Sequence, residues 1–600
     1  MRTLTIDIET YSDVDIRSRG IHKYVSSPAF EVLLFGYTYD DEPVTVLDLT
    51  GQSLPDNIIA ALYDADVRKT AFNAAFEITC LREIPELFDM PAEQWECSSV
   101  LARYNGLPGS LEGAAKALKL SADAQKDTRG KNLIRYFSMP CAPTKANGGR
   151  TRNMPSDNPE KWQEYIEYNR QDVVVERAIR KKLVAHMPPE EERQLWLVDL
   201  AINATGVRVD ESLARKAIDI STDYTARLIA EAQELTGLNN PNSVIQLKEW
   251  ITGRTGDEIE SLAKDNVSAL LAQDIPADVK RVLRIRQLLG KSSVKKYEAM
   301  KGCAVKHSST YRCHDLFQFY GANRTGRWAG RMVQLQNLPR NSLPDLNTAR
   351  ELVKSGDTDT LDLLYGSVPD VLSQLIRTAI IAEEGHLLYV ADFSAIEARV
   401  IAWLAGETWR LDTFRSGGDI YCASASSMFG VPVEKHGVNG HLRQKGKVAE
   451  LALGYGGGPG ALIAMGALSQ GLTEEELPDM VSAWRSASPR ICKFWYDCDA
   501  AAKRVIQNGG TVTIKQGRIR FEKTKGTLLI HLPSGRDLTY IRPGIGTNRF
   551  GGESITYLGT EQVSRRWARL ETYGGKLVEN IVQAVARDCL AAALMRLYKA

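Results

Sequence analysis

Apolar and polar positions alternate over residues 2–8 (RTLTIDI), the period-two pattern of a half-buried strand, and 31–39 (EVLLFGYTY), 43–49 and 68–72 add further strands. Helical spacing takes over at 76–83, 111–119 and 160–187. Strands interleaved with helices predict an α/β sheet with helices packed on it. The Pro-, Gly- and Asn-rich stretch 140–159 reads as a surface loop, and Met187-Pro188-Pro189 marks a boundary because prolines stop a helix. From 190 to 301 the pattern is almost wholly helical, interrupted at Gly206 and at Asn239-Asn240-Pro241-Asn242. Residues 303–350 read as irregular. HLLYVADF (386–393) reads as a short buried strand leading to a helix over 395–405. Helices at 441–456 and 473–508, hairpins at 510–531 and a long helical region over 561–600, broken at Gly574-Gly575, complete the pattern.

The length of 600 residues suggests about four domains. No apolar run reaches the roughly 18 residues of a membrane span, and the start MRTLTIDIET carries acids where a signal peptide needs an apolar run. The nine cysteines form no C-x-x-C pair, which favours core thiols in a reducing cytoplasm over a zinc site or disulfides. Net charge is only +1, but it is unevenly spread. Residues 1–50 carry four basic and nine acidic residues, whereas 280–301 carry eight basic and one acidic, and 301–350 eight basic and two acidic. An acidic first part and a basic middle imply different tasks.

The acids of the first part form a pattern. Asp7 and Glu9 share a strand face, Glu77 follows in Asn73-Ala-Ala-Phe76-Glu77, and Tyr168 and Asp172 are one helical turn apart. Four converging carboxylates need a counter-charge, which two oxygen-seeking divalent cations supply; such a pair activates water for phosphodiester hydrolysis. In the second half, Asp392 stands at the end of the 386–393 strand, followed by Glu397 and Arg399. Arg443, Lys447, Leu451 and Tyr455, each four apart, place two cations, an apolar group and an aromatic along one helical stripe, suited to a triphosphate and a base. Taken alone, that stripe also fits an amphipathic helix with a solvated Arg and Lys.

The ordered DIE, N-x-x-F-E and Y-x-x-x-D set resembles a DnaQ-like 3′→5′ proofreading exonuclease with an RNase H-like fold. That implies Asp7, Glu9, Glu77 and Asp172 as metal ligands and Tyr168 as the residue that orients the attacking water. Glu77 departs from the usual Asp. DFSAIEAR and RQKGKVAELALGYG resemble the first palm motif and fingers helix of family A DNA polymerases. So do Thr325-Gly326-Arg327, Leu335-Gln336-Asn337-Leu338-Pro339, Asn240-Pro241-Asn242-Ser243 with Gln246-Leu247, and Glu579-Asn580-Ile-Val-Gln583. YGGKLVEN and the short motif spacing resemble phage-type members. The resemblance implies an α/β exonuclease domain (1–189), then a right-hand α+β polymerase domain: thumb-like 190–310, palm 311–400, fingers 401–510 and a return to palm over 511–600. It assigns two Mg²⁺ ions per active site, with Mn²⁺ an alternative. Asp392 would bind the polymerase pair. Arg443 and Lys447 would hold the dNTP triphosphate, with Lys447 protonating the departing pyrophosphate. Leu451 would line that site, in a place where better-known relatives carry Phe or Tyr. Glu397 would gate against a ribose, and Tyr455 would stack at the template base position. Arg327, Asn337, Arg399 and Gln583 would contact primer–template DNA. The expected protein is a monomer in the cytoplasm, that of the host cell if phage-encoded. The family's second palm aspartate, in a His-Asp-Glu hairpin, does not occur in residues 1–600. A sequence cut at 600 is the favoured reading. A separately encoded piece, or a 3′→5′ exonuclease with an inactive polymerase-like half that grips DNA, are the alternatives.

Overall fold

The computed structural model describes residues 2–120, 130–291, 294–548 and 551–600. The first sheet is built from β1 (Arg2–Tyr11), β2 (Glu31–Tyr39), β3 (Thr45–Asp48), β4 (Val67–Ala71) and β5 (Trp95–Cys97), in the order β3-β2-β1-β4-β5. β2 pairs antiparallel with both β1 and β3, while β4 is parallel to β1 and β5 to β4. The expected strands are therefore present, with β1 central. Ile6 and Ile8 turn into a core shared with Phe35, Ile58, Ile78 and Trp95, and Asp7 and Glu9 take the opposite face by strand alternation.

The 25-residue helix Pro159–Leu183 packs on β1 and β2. Asn158 caps it by accepting from Lys161 N at 3.0 Å, and Pro159 occupies its first turn, where no N–H is needed. The helix ends before the Met187-Pro188-Pro189 break, and Glu190–Thr205 begins a new one.

The next part is helical as expected, but residues 303–350 are more regular than their sequence suggests. β6 (Val207–Val209), β7 (Ala304–His307) and β8 (Thr310–Cys313) form a small sheet, and β9 (Phe317–Ala322) pairs with β10 (Arg327–Gly330). β6 and β8 are about a hundred residues apart in sequence, a pairing local periodicity does not reveal. The last part has a six-stranded antiparallel sheet: β11 (Thr511–Ile514), β12 (Ile519–Thr524), β13 (Thr527–His531), β14 (Asp537–Thr547), β15 (Glu553–Thr560) and β16 (Trp567–Thr572). This corrects the helical expectation for 561–573. Residues 567–572 pair with β15 instead, and the final helix, Gly574–Lys599, starts at the glycine pair read as a break.

A second correction is larger. Residues 386–393 form no strand; the segment is irregular and Tyr389 and Val390 are 92% and 94% exposed. A strand needs neighbours for its N–H and C=O groups, and among the described residues none pairs with this segment.

Buried charges tie the two halves together. Arg587, on the final helix, makes a bidentate bond with Glu192 of the Glu190–Thr205 helix. Arg536 donates to Asp588 Oδ1 at 2.8 Å and to Tyr320 Oη at 2.6 Å. His22 N and Nδ1 meet the Asp315 carboxylate at 2.9 and 2.8 Å.

Candidate active sites and family

On the face of β1 that the Pro159–Leu183 helix covers, single oxygens of Asp7, Glu9 and Asp172 lie within 4.8 Å of one another. β1 supplies the first two through its two-residue repeat, and the Pro159–Leu183 helix supplies the third. Three convergent carboxylates form an oxygen-rich donor set that fits a divalent cation. Tyr168, buried on the same helix, hydrogen-bonds Asp172, and burial together with the Glu9 and Asp172 charges drives its phenol pKa up.

Glu77 is not part of this group. It sits in the first turn of the Ala74–Leu81 helix, buried, with Oε2 lacking a hydrogen-bond partner among the described residues. Burial, reinforced by the charges of Glu176 and Glu9, pushes its carboxyl up to about 8. Glu176, one turn beyond Asp172, accepts from Ser98 Oγ at 2.6 Å, and burial raises its pKa to about 7.

Three functional candidates were missed in the sequence. The Tyr165 hydroxyl donates to Glu9 Oε2 at 2.6 Å, and Asn169 Nδ2 donates to Asp7 Oδ2 at 2.7 Å. Glu176 is the third. All three share the helical face of Tyr168 and Asp172 at spacings of three, four and seven, so extending the i, i+3, i+4 pattern from those two would have found them.

In the second half, Glu397 opens the helix Ile396–Ala405. Its Oε2 accepts from Tyr455 Oη at 2.8 Å, and Arg327 Nη1 lies 3.5 Å from Oε1. Burial and the Glu397 charge raise the Tyr455 pKa. Tyr455 lies just past the helix Leu442–Leu453, so the stripe expected to end on it leaves the helix before reaching it. Arg443, Lys447 and the half-exposed Leu451 occupy the outer face of that helix, while Val448, Ala449 and Ala452 pack inward. Glu450 anchors it from behind through Arg410, Ser424 Oγ (2.6 Å) and Trp484 Nε1 (2.9 Å). Arg443 Nε donates to Asp419 Oδ2 at 2.8 Å, so this cation has a resident partner.

Asp392 is exposed in the irregular segment, not held at the end of a buried strand. Arg399 Nε donates to Ser394 O at 2.8 Å, and its guanidinium covers the Phe414 ring. Asn337 is exposed on the 3₁₀ turn Leu335–Asn337, and Gln583 is half-buried on the final helix. Among the described residues, no helix is long and apolar enough to cross a membrane.

The profile of DNA polymerase family A matches residues 212–528. The chain is 55% identical to the DNA polymerase of Bacillus phage SP02 over 599 residues, covering 100% of this chain and 91% of that protein. It is 31% identical over 275 residues to the thermostable DNA polymerase I of Thermus aquaticus, covering 44% of this chain and 29% of that one. The polymerase domain of Pol1 from M. smegmatis, solved with DNA primer–template and dNTP, superposes with a TM-score of 0.55 at 15% identity, covering 100% of this chain and 85% of that one. The fold is that of a polymerase domain, and the relatives are DNA polymerases. The chain belongs to DNA polymerase family A.

Proposed function

We propose that the protein is a DNA-templated DNA polymerase with a 3′→5′ proofreading exonuclease, acting in phage DNA replication in the host cytoplasm. Residues 1–189 are the exonuclease in this reading, with the mixed five-stranded sheet as an RNase H-like core. Residues 190–600 are the thumb, palm and fingers. The observation that carries the exonuclease is the convergence of Asp7, Glu9 and Asp172 beside Tyr168. Family membership carries the polymerase.

Asp7, Glu9 and Asp172 would hold divalent metal, Mg²⁺ with Mn²⁺ as an alternative. Asp392 would do the same at the polymerase site. When bound, such ions activate the attacking oxygen and stabilise charge on the leaving oxygen. The chain's own side chains do the rest. The Tyr168 hydroxyl orients water at the 3′ end. Arg443 and Lys447 hold the incoming dNTP triphosphate, Arg443 exchanging Asp419 for phosphate, and Lys447 delivers a proton to the departing pyrophosphate. Glu397, fixed by the Tyr455 hydroxyl, fills the space a ribose 2′-OH needs. Leu451 and Tyr455 line the nucleotide, and Arg327, Asn337, Arg399 and Gln583 grip the primer–template.

The exposure of the 386–393 segment favours one second reading: a 3′→5′ exonuclease whose polymerase half grips DNA. One experiment separates the two. The purified full-length protein and its Asp392→Ala variant are given a labelled primer–template, Mg²⁺ and dNTPs. Extension by the parent that is lost in Asp392→Ala, with 3′-end digestion retained in both, is the expected result. Digestion without extension by the parent selects the second reading, and extension that survives Asp392→Ala removes Asp392 from the polymerase site.

A further inference from the structure

The Pro159–Leu183 helix does more than deliver Asp172 to the acidic cluster. The Tyr165 hydroxyl donates its one proton to Glu9 Oε2 at 2.6 Å. Its 2.6 Å contact with Ser138 Oγ must then run the other way, with the serine donating to the phenol oxygen. Ser138, directly after the helix Gly130–Phe137, thus starts a directed chain from Ser138 to Tyr165 to Glu9 through buried surroundings. The Tyr165 ring is clamped between the stacked rings of Phe137 and Tyr168, at 5.5 and 6.0 Å.

One turn further along, Asn169 Nδ2 donates to Asp7 Oδ2 at 2.7 Å and to the Asp7 carbonyl at 3.1 Å. Both partners are acceptors, so the amide orientation is determined. The opposing strand is shaped around this contact. Gly36 faces Asp7 across the β1–β2 ladder, and a Cβ there would lie 2.3 Å from Asn169 Oδ1. Gly130 leaves the same kind of room for Tyr168, with a Cβ position 2.0 Å from that ring.

We infer that Tyr165 and Asn169 are positioning residues that preset Glu9 and Asp7 for a divalent cation, with Ser138 and Gly36 as their supports. The inference rests on the exonuclease reading of the cluster and extends it to the groups behind the carboxylates. Both donors are neutral. A phenol and an amide fix the carboxylate rotamers by hydrogen bonding and add no charge of their own to the cluster. Carboxylates already held in place lose less freedom when they bind an ion. Tyr165, Asn169 and Asp172 also ride on one helix, so two positioners and one ligand move as a unit.

The test is Mn²⁺ binding to the full chain, followed by the electron paramagnetic resonance signal of free Mn²⁺. An Asp392→Ala background restricts the titration to the N-terminal site. Tyr165→Phe, which keeps the ring packing, and Asn169→Ala are each expected to weaken Mn²⁺ binding by about tenfold to a hundredfold. Gly36→Ala, whose added Cβ meets the Asn169 amide first, is expected to weaken it in the same direction. Thermal unfolding in EDTA confirms that Tyr165→Phe folds, and that variant carries the test if Asn169→Ala does not. Unchanged affinity in Tyr165→Phe and Asn169→Ala, beside a large loss in Asp172→Ala, overturns the positioning role and spares the exonuclease reading. Unchanged affinity in Asp172→Ala overturns both.

Discussion

β1 and the 386–393 segment each read as a strand that carries a carboxylate near its end, yet they stand in opposite physical states. β1 has β2 on one side and β4 on the other. Its backbone is paired, its inward residues are buried, and its carboxylates are held by Tyr165 and Asn169. The 386–393 segment has no strand beside it among the described residues, and Tyr389 and Val390 lie open to solvent. A strand, unlike a helix, cannot satisfy its own backbone. The difference teaches that an acidic residue on a strand becomes a defined ligand only where the sheet around it is complete.

The sharpest way to break that contrast is at the complete site. Asp172→Ala is expected to cut 3′-end digestion of single-stranded DNA by about a thousandfold, the loss of several kcal/mol of charge stabilisation. Primer extension serves as the internal control, and a digestion rate near the parent's would show that the cluster is not the hydrolytic centre.

Next in size is backbone protection. Amides of residues 386–393 are expected to exchange with deuterium at nearly the rate of free peptide, while those of β1 between Leu4 and Ile8 are slowed by orders of magnitude. Protection of 386–393 in the isolated chain would mean that it has found a partner strand.

A smaller effect is expected at the Glu397–Tyr455 bond. Tyr455→Phe removes one hydrogen bond to a charged group, worth about 1.5–3 kcal/mol. The selectivity for deoxyribonucleotides over ribonucleotides in single-turnover incorporation should therefore fall by about tenfold to a hundredfold. Unchanged selectivity would separate Tyr455 from the gate.

The smallest effect is at the junction between the halves, where His314 stacks on His22 and its Nε2 meets His307 Nε2 at 2.9 Å. Burial, aided by the neighbouring His22, lowers the His314 pKa to about 4 from 6.5. The folded state therefore takes up this proton later than the unfolded state does. Its contribution to stability is present above about pH 6.5 and is lost as the pH falls through about 4. A His314→Gln variant should show a shallower decline in melting temperature over that interval than the parent; parallel declines would remove His314 as the cause.

Much of the N-terminal site was legible beforehand because its signals are local. Asp7 and Glu9 share a strand face by period two, and Tyr168 and Asp172 share a helix face by one turn. Tyr165, Asn169 and Glu176 follow the same helical rule but carry meaning only once β1 lies against that helix. Glu77 was expected among the ligands, yet it lies outside the trio, since the placement of its helix against β1 decides the distance. The outer stripe of Arg443, Lys447 and Leu451 was readable from spacing, whereas the hold of Asp419 on Arg443 was not, because the two are on different helices. The final sheet shows the same limit. β11 to β13 are close hairpins and were anticipated, while β16 was read as helix, its assignment depending on pairing with β15.

By itself, then, the sequence determined the element types of most of the chain, the acidic and basic division behind a net charge of +1, and the motif order that marks the family. Periodicity and composition act over a few residues, and those properties need nothing longer. The tertiary structure alone decided which carboxylates meet, which cation already has a partner, and that 386–393 is not a strand. Each of these depends on groups far apart in sequence being brought together, and on whether a neighbouring segment is there to accept a hydrogen bond.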